Sequence, residues 1–150
     1  MVLLKWHKSR VQNLTEQIKQ KPNDEAIKQQ LEKAKRTELE TEIQEYSVQV
    51  KDQPTNYELR FRLAKALMQV NRYDEAISHL QVSVGDPRHK IPSFTLMGQA
   101  FSKKKEFELA VEQFKNALQL QGTNRDAQYK DIMYALAIAY EAANKTQDAI

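Results

Sequence analysis

A short motif recurs along this chain at a fixed interval. Residues 73–77 read YDEAI, and residues 107–111 read FELAV, 34 positions later. A third version, TQDAI, occupies residues 146–150. A period of this length is typical of helical repeat arrays, in which each unit buries its apolar face against its neighbours and the array leaves an extended surface for binding. A repeat, rather than a catalytic motif, therefore organises the sequence.

The composition supports a mostly helical protein. Of the 150 residues, 41% are apolar, and only three are Gly and four are Pro. The absence of cysteine excludes disulfides, thiolate metal ligands and cysteine nucleophiles. The net charge of +3 comes from 23 basic and 20 acidic residues that are spread evenly, so it gives little support for a nucleic-acid partner.

The sequence contains no clear targeting or membrane segment. No stretch approaches the roughly 20 apolar residues of a membrane-spanning helix. Lys5 interrupts the opening apolar residues, which leaves them shorter than the apolar region of a signal peptide. We therefore expect a cytoplasmic protein without a membrane span.

The spacing of apolar residues predicts helical hairpins from Asn56 onward. The first hairpin covers residues 56–84, and the second covers residues 94–118 with a turn at residues 103–106. A third first helix follows, with the apolar residues Met133, Leu136, Ala137 and Tyr140. The third copy of the motif is 39 rather than 34 residues after the second, so we expect a longer second helix in hairpin two or a longer loop near residues 121–125.

Glycine and proline mark the boundary between the first two hairpins. Gly85 is expected to adopt the left-handed conformation after a helix, and Pro87 to stop that helix. Pro92 is expected in the first turn of the next helix, where its fixed φ is tolerated.

The second hairpin carries a recognisable set of bulky and small residues. They are Phe94, Met97, Gly98, Phe101, Phe107, Ala110, Phe114 and Ala117. This pattern resembles the tetratricopeptide repeat, and the first hairpin departs from it at Arg60, Leu67 and Ser83. The resemblance implies an all-α fold, a right-handed superhelix of antiparallel helical hairpins. It also implies that Gly98 and Ala110 allow close approach of helices, which a larger side chain would prevent.

The first 55 residues leave two alternatives open. Residues 18–34 align with residues 50–66, which favours a degenerate repeat, and Thr37 with Glu40 forms a capping-box pattern that would start a helix. The alternative is one long helix of nearly 30 residues that pairs with the first helix. We therefore divide the chain into N-terminal helices at 1–55 and a repeat array at 56–150. The repeats fall at about 57–90, 91–125 and, incompletely, 130–150.

Catalytic chemistry finds little support in the sequence. His7, His79 and His89 have no carboxylate, serine or second histidine at a spacing that would form a triad or a metal site. The scattered glycines form no phosphate-binding loop, and the lysines at 103–105 are expected in a solvated turn. We therefore predict a protein that is not an enzyme and has no metal or cofactor.

The resemblance assigns a partner-binding groove to the first helices of the hairpins. Its inward positions correspond to Phe61, Arg62, Lys65, Met68, Gln69, Thr95, Gln99, Ser102, Lys103, Tyr134, Ile138 and Glu141. This mixture of basic, polar and apolar residues suits a peptide that has acidic and hydrophobic anchors. Some members of the family grip the C-terminal carboxylate of heat-shock chaperones, but the matching positions lack that set of Lys, Asn and Arg residues. The missing set disfavours chaperone-tail binding without excluding other acidic peptides.

The sequence thus predicts a protein-interaction scaffold or adaptor that binds a peptide or a partner protein. The alternative is a regulatory or targeting segment of a larger protein whose catalytic domain lies outside this chain. Residues 146–150 are expected to begin the second helix of the third hairpin, which would leave Leu136, Ala139 and Tyr140 uncovered. We therefore expect part of a longer repeat protein, and a homodimer formed through the uncovered end.

Overall fold

The chain folds into seven α-helices in a computed structural model that describes residues 1–148, with no strand in that range. The helices are α1 (Val2–Gln20), α2 (Glu25–Asp52), α3 (Tyr57–Gln69), α4 (Tyr73–Ser83), α5 (Pro87–Lys103), α6 (Phe107–Gln121) and α7 (Ala127–Asp148). They divide into two compact units, Met1–Asp52 and Gln53–Ile150. The predicted all-α class is confirmed.

The first unit is an antiparallel pair of long helices. Leu14 of α1 packs with Leu31 and Ala34 of α2, and the amino group of Met1 donates to Glu45 near the other end of the pair. α2 is continuous over 28 residues, so the long-helix alternative describes this unit.

Thr37 lies inside α2 and does not start a helix. Its hydroxyl donates to the Lys33 carbonyl at 2.9 Å, as a residue within a helix does. The capping-box pattern therefore has no effect here, because no Gly or Pro between Glu25 and Asp52 interrupts the helix on either side of it.

The second unit is built from two antiparallel hairpins, α3–α4 and α5–α6, followed by α7. A residue with left-handed φ forms each hairpin turn: Asn71 at 61° and Lys105 at 64°. Asn56 caps α3 by accepting the Leu59 N–H, and Asp86 caps α5 by accepting the Arg88 N–H. Consecutive hairpins contact each other through α4 and α5, and α6 packs against α7.

The boundary between the hairpins differs from the expectation. Pro87 is the first residue of α5, which suits its missing N–H, and Pro92 lies inside the helix rather than in its first turn. Gly85 is not left-handed. Its lack of a side chain is required because a Cβ there would lie 2.8 Å from the Tyr57 ring.

The end of the chain also differs from the expectation. No turn occurs before Thr146, and α7 continues through Asp148, while Ala149 and Ile150 lie outside the described residues. No Gly or Pro occurs between Ala127 and Asp148, so nothing in the local sequence interrupts the helix before Thr146. Gln147 instead donates to Glu108 at 2.9 Å.

The core of the second unit reaches into α7. Ala110, Val111, Phe114 and Ala117 of α6 form one buried cluster with Ile132, Leu136 and Ala139 of α7. The expectation that Leu136 and Ala139 are uncovered is therefore wrong, because α6 already covers them. Tyr140 remains 39% exposed. The extra residues of this region lie both in α6, which is longer than α4, and in the loop after Gly122.

The part of the chain that the structure describes includes no helix whose length and apolar character together would allow it to cross a bilayer.

The first stability prediction concerns the contact between Gly98 and Phe114. A Cβ on residue 98 would lie 2.6 Å from the buried Phe114 ring. We expect Gly98→Ala to lower the free energy of unfolding by about 1–3 kcal/mol, measured by urea denaturation. Phe114→Leu replaces the ring with a smaller side chain. It should therefore lower the free energy of unfolding less in the Gly98→Ala background than in the unmodified chain. Equal costs in both backgrounds would contradict the proposed clash.

The second stability prediction concerns a buried pair of hydroxyls between the hairpins. Ser83 donates to the Leu80 carbonyl at 3.0 Å, so its oxygen accepts the Ser93 hydroxyl at 2.6 Å. Both side chains are fully buried. Ser83→Ala should cost about 1–3 kcal/mol, because it leaves the buried Ser93 hydroxyl without this partner.

A double-mutant cycle tests this pair. The double variant Ser83→Ala/Ser93→Ala should cost less than the sum of the two single variants, because it removes both polar groups together. Additive costs would show that the two hydroxyls do not stabilise the interface between α4 and α5 as a pair.

Candidate peptide-binding groove

The first helices of the hairpins are neighbours in the second unit. α3 contacts α5, and α5 contacts α7, while α4 and α6 are the second helices of their hairpins. Each first helix carries predicted groove residues at a spacing of three or four, which places them on one side of that helix. Examples are Phe61 and Lys65 in α3, Thr95 and Gln99 in α5, and Tyr134 and Ile138 in α7.

All the predicted groove residues reach the surface, to different extents. The exposed ones are Arg62, Lys65, Gln69, Gln99, Lys103, Tyr134, Ile138 and Glu141. The partly buried ones are Phe61, Met68, Thr95 and Ser102. None is a core residue, so all of them have side-chain surface that a partner could contact.

Phe61 is the centre of the best-defined contacts. Its ring lies 4.9 Å from the His89 ring, measured between centroids, and this contact joins α3 to the first turn of α5. The ammonium of Lys65 lies 5.9 Å from the centre of the Phe61 ring. The structure thus brings a cation and an aromatic ring together beside the junction of two hairpins.

A network of polar contacts stabilises this junction between α3 and α5. His89 is nearly buried, and its Nε2 donates to Glu58 Oε2 at 2.6 Å. Its Nδ1 lies 3.3 Å from Asp86 Oδ2. Arg62 donates to the other oxygen of Glu58, and Arg88 donates to Asp86 at 2.7 Å.

The network lowers the pKa of both carboxyl groups. The hydrogen bond from Arg62 is the main cause of the lowered pKa of Glu58, and His89 adds to it against the opposing effect of burial. The Arg88 side chain and its backbone N–H hold the pKa of Asp86 far below the ordinary value. Both carboxylates are therefore ionised at neutral pH and fix the position of His89.

Glu58, Asp86 and His89 were missed as residues that support the groove. Sequence signals existed for two of them: Glu58 lies four residues before Arg62, and Asp86 immediately precedes a proline at a helix start. No signal in the sequence pairs His89 with Glu58, because the two residues belong to different hairpins.

The turn of the second hairpin carries both free and paired lysines. Lys104 bridges Asp74 and Glu106, each at 2.7 Å, and these two carboxylates raise its pKa. Lys103, the predicted groove residue, makes no ion pair in the described part of the chain. The solvated-turn interpretation thus fits Lys105, which is exposed, but not Lys104, which links the two hairpins.

The α7 end of the predicted groove is apolar. Tyr134 is 72% exposed and Ile138 is 50% exposed, and Met133 beside them is 42% exposed. Glu141 pairs with Lys145 of the same helix at 2.8 Å. The homodimer that the sequence predicts through the end of the repeat array remains a prediction.

The three histidines contact other side chains of the structure. Among the described residues, no three His, Asp or Glu side chains lie close enough to hold a metal ion. His79 accepts from Arg60 at 3.1 Å, and burial together with that guanidinium lowers its pKa. The histidines therefore take part in ring contacts and hydrogen bonds.

Family comparisons agree with the repeat pattern. Two sequence models of the tetratricopeptide repeat match the chain, one over residues 36–90 and the other over residues 91–124. Together they span 89 of the 150 residues. No curated protein sequence matches the chain.

Similar solved structures include several of MamA. A crystal structure of MamA is 22% identical with a TM-score of 0.64, over 79% of this chain and 67% of that chain. The MamA RS-1 ArsTM double mutant is 16% identical with a TM-score of 0.55, over 96% and 88%. MamA 41-end from Desulfovibrio magneticus RS-1 is 16% identical with a TM-score of 0.55, over 93% and 86%. At these identities the similarity concerns the fold.

The contacts of Asp86 in this network predict how the free energy of unfolding changes in acid. The folded pKa of Asp86 lies below its ordinary value of 3.8, so its contribution to stability is present above that pH and is lost as the pH falls further. We expect the free energy of unfolding to fall below about pH 4, and to fall less steeply in Asp86→Asn.

Urea denaturation between about pH 6 and about pH 2.5 measures this dependence. Asp126→Asn is the matched control, because Asp126 also accepts a backbone N–H at a helix start but has no arginine partner among the described residues. Identical acid slopes in Asp86→Asn and the unmodified chain would contradict the prediction.

Proposed function

Because this chain belongs to the tetratricopeptide repeat family, we propose that it is a protein-interaction scaffold that binds a peptide of its partner in the groove formed by α3, α5 and α7. The observation that carries the proposal is the adjacency of these three helices, each of which presents side chains that the core does not use. Fold alone does not identify a partner, so the chemistry of the lining must define the class of peptide.

The charge of the lining favours an acidic peptide. Lys65 and Lys103 make no ion pair in the described part of the chain, whereas the acidic groups nearby, Glu58 and Glu141, are already paired. An aspartate or glutamate of the partner can therefore bind either lysine without first breaking an internal ion pair. Such contacts contribute chiefly to specificity and to the rate of association.

The apolar residues of the lining supply the anchors. Phe61 offers a partly buried ring that packs against His89, and Tyr134 and Ile138 offer exposed apolar surface on α7. Neighbouring packed helices are about 8–10 Å apart, so α3 and α7, which both contact α5, are at most about 16–20 Å apart. An extended peptide covers that distance with about five or six residues. We therefore propose a short motif with acidic residues toward α3 and apolar residues toward α7.

Selection from a displayed random-peptide library tests the proposal. We expect the selected peptides to combine Asp or Glu with large apolar residues, and a labelled selected peptide to bind the chain in a fluorescence-anisotropy titration. Lys65→Glu combined with Gln99→Ala should raise the Kd at least about tenfold, because it places a like charge opposite the acidic residue. Both positions are exposed, so the fold should be kept.

Lys115→Glu is the matched control, since it makes the same charge change on α6, a second helix of its hairpin. It should leave the Kd unchanged within about twofold. Equal weakening by both variants would indicate a general charge effect. Unchanged binding in the groove variant would show that the peptide binds another surface, and the proposed groove would be wrong.

A further inference from the structure

We infer that the first two turns of α1 form a docking surface for the anionic face of a lipid bilayer. Three large apolar side chains are exposed there: Val2 at 86%, Leu3 at 58% and Trp6 at 55%. Their spacing places them on one side of the helix. This surface is independent of the groove of the second unit, and the proposed function does not account for it.

The exposure of these side chains is not a consequence of the packing of α1. The buried residues of α1, Leu4, His7 and Leu14, lie on the adjacent side of the helix, so α1 already has a side that packs against α2. A second apolar surface on a helix that is already packed contributes nothing to the hairpin. Large exposed apolar side chains that are grouped in this way mark an interaction site.

Charge identifies the kind of partner. The first acidic residue of the sequence is Glu16, so the first four turns of α1 contain only basic charged side chains. Glu45 and Glu42 of α2 pair with the Met1 amino group and with Lys8. Lys5 and Arg10 make no ion pair among the described residues and remain available for an anionic surface.

The surroundings of Trp6 resemble those of a tryptophan at a membrane–water interface. The Arg10 guanidinium lies 5.6 Å from the centre of the Trp6 ring, so a cation accompanies the exposed aromatic surface. Ser9, Arg10 and Asn13 line a shallow open depression next to Trp6. These side chains can hydrogen-bond lipid phosphates while Val2, Leu3 and Trp6 enter the apolar boundary of the headgroup region.

The size of the surface favours a bilayer over a protein. A stable protein interface buries about 800 Å² on each partner, which three side chains on the outer side of one helix do not supply. Reversible binding to a membrane surface needs only a few apolar side chains when basic residues reinforce it. Binding should therefore be weak, reversible and dependent on anionic lipid.

Trp6 is the only tryptophan in the chain, so its own fluorescence reports the docking. The experiment adds vesicles of phosphatidylcholine, with and without about one quarter phosphatidylglycerol, to the full chain. We expect the emission to shift to shorter wavelength with the anionic vesicles and much less with the neutral ones. Added salt should reverse part of the shift, because it screens Lys5 and Arg10.

Leu3→Glu should weaken vesicle binding at least about tenfold, and Lys5→Glu should remove the preference for anionic lipid. Leu120→Glu is the matched control, since it makes the same substitution at an exposed leucine of α6 that belongs to neither proposed surface, and it should bind like the unmodified chain. Circular dichroism confirms that each variant stays helical.

Three results would overturn the inference. One is the absence of any shift with anionic vesicles, and another is the same shift with neutral vesicles. The third is a shift that grows with protein concentration without lipid, which would assign the surface to a second copy of the chain. Because the peptide titration of the groove does not involve α1, failure here leaves the proposed function unaffected.

Discussion

The contact between Gly98 and the Phe114 ring sets the distance between α5 and α6. Phe114 is almost fully buried, and its ring occupies the space that a side chain at residue 98 would need. The same buried side of α6, through Phe114 and Ala117, also packs in one cluster with Ile132 and Leu136 of α7. The position of α7 beside α5 therefore depends on how closely α6 approaches α5. The close packing of α6 on α5 therefore also determines where the α7 side of the proposed groove lies.

The hairpins could be predicted because their determinants are local in sequence. The motif at residues 73–77 and 107–111 marks the start of each second helix, and small residues at Gly98 and Ala110 mark where helices approach. The long helix α2 could not be decided in this way, since its sequence fits both a degenerate repeat and a continuous helix. The α2 segment contains no Gly or Pro that would force a break in the helix. Packing along α1 is consistent with the continuous helix.

The supporting part of the candidate groove could not be predicted for a different reason. The groove positions follow from a repeat pattern, so Phe61 and Lys65 could be named from the sequence. His89, whose ring packs against Phe61, belongs to another hairpin, and the distance between Glu58 and His89 is set by the packing of α3 on α5. The same limit applies to Ser83, where the repeat usually has alanine. Its hydroxyl has a partner only because Ser93 of the next hairpin lies opposite.

The two proposed surfaces differ in chemistry, and each belongs to its own folded unit. The apolar and basic surface around Trp6 lies in Met1–Asp52, and the groove lies in Gln53–Ile150, so neither surface borrows residues from the core that supports the other. A partner bound in the groove of a membrane-docked chain would be confined near the bilayer. A partner that itself contacts the bilayer would add its contact to that of α1, and the two weak contacts together would give the assembled complex a larger apparent affinity for the membrane. Weak docking by α1 would then make membrane association depend on the partner being present.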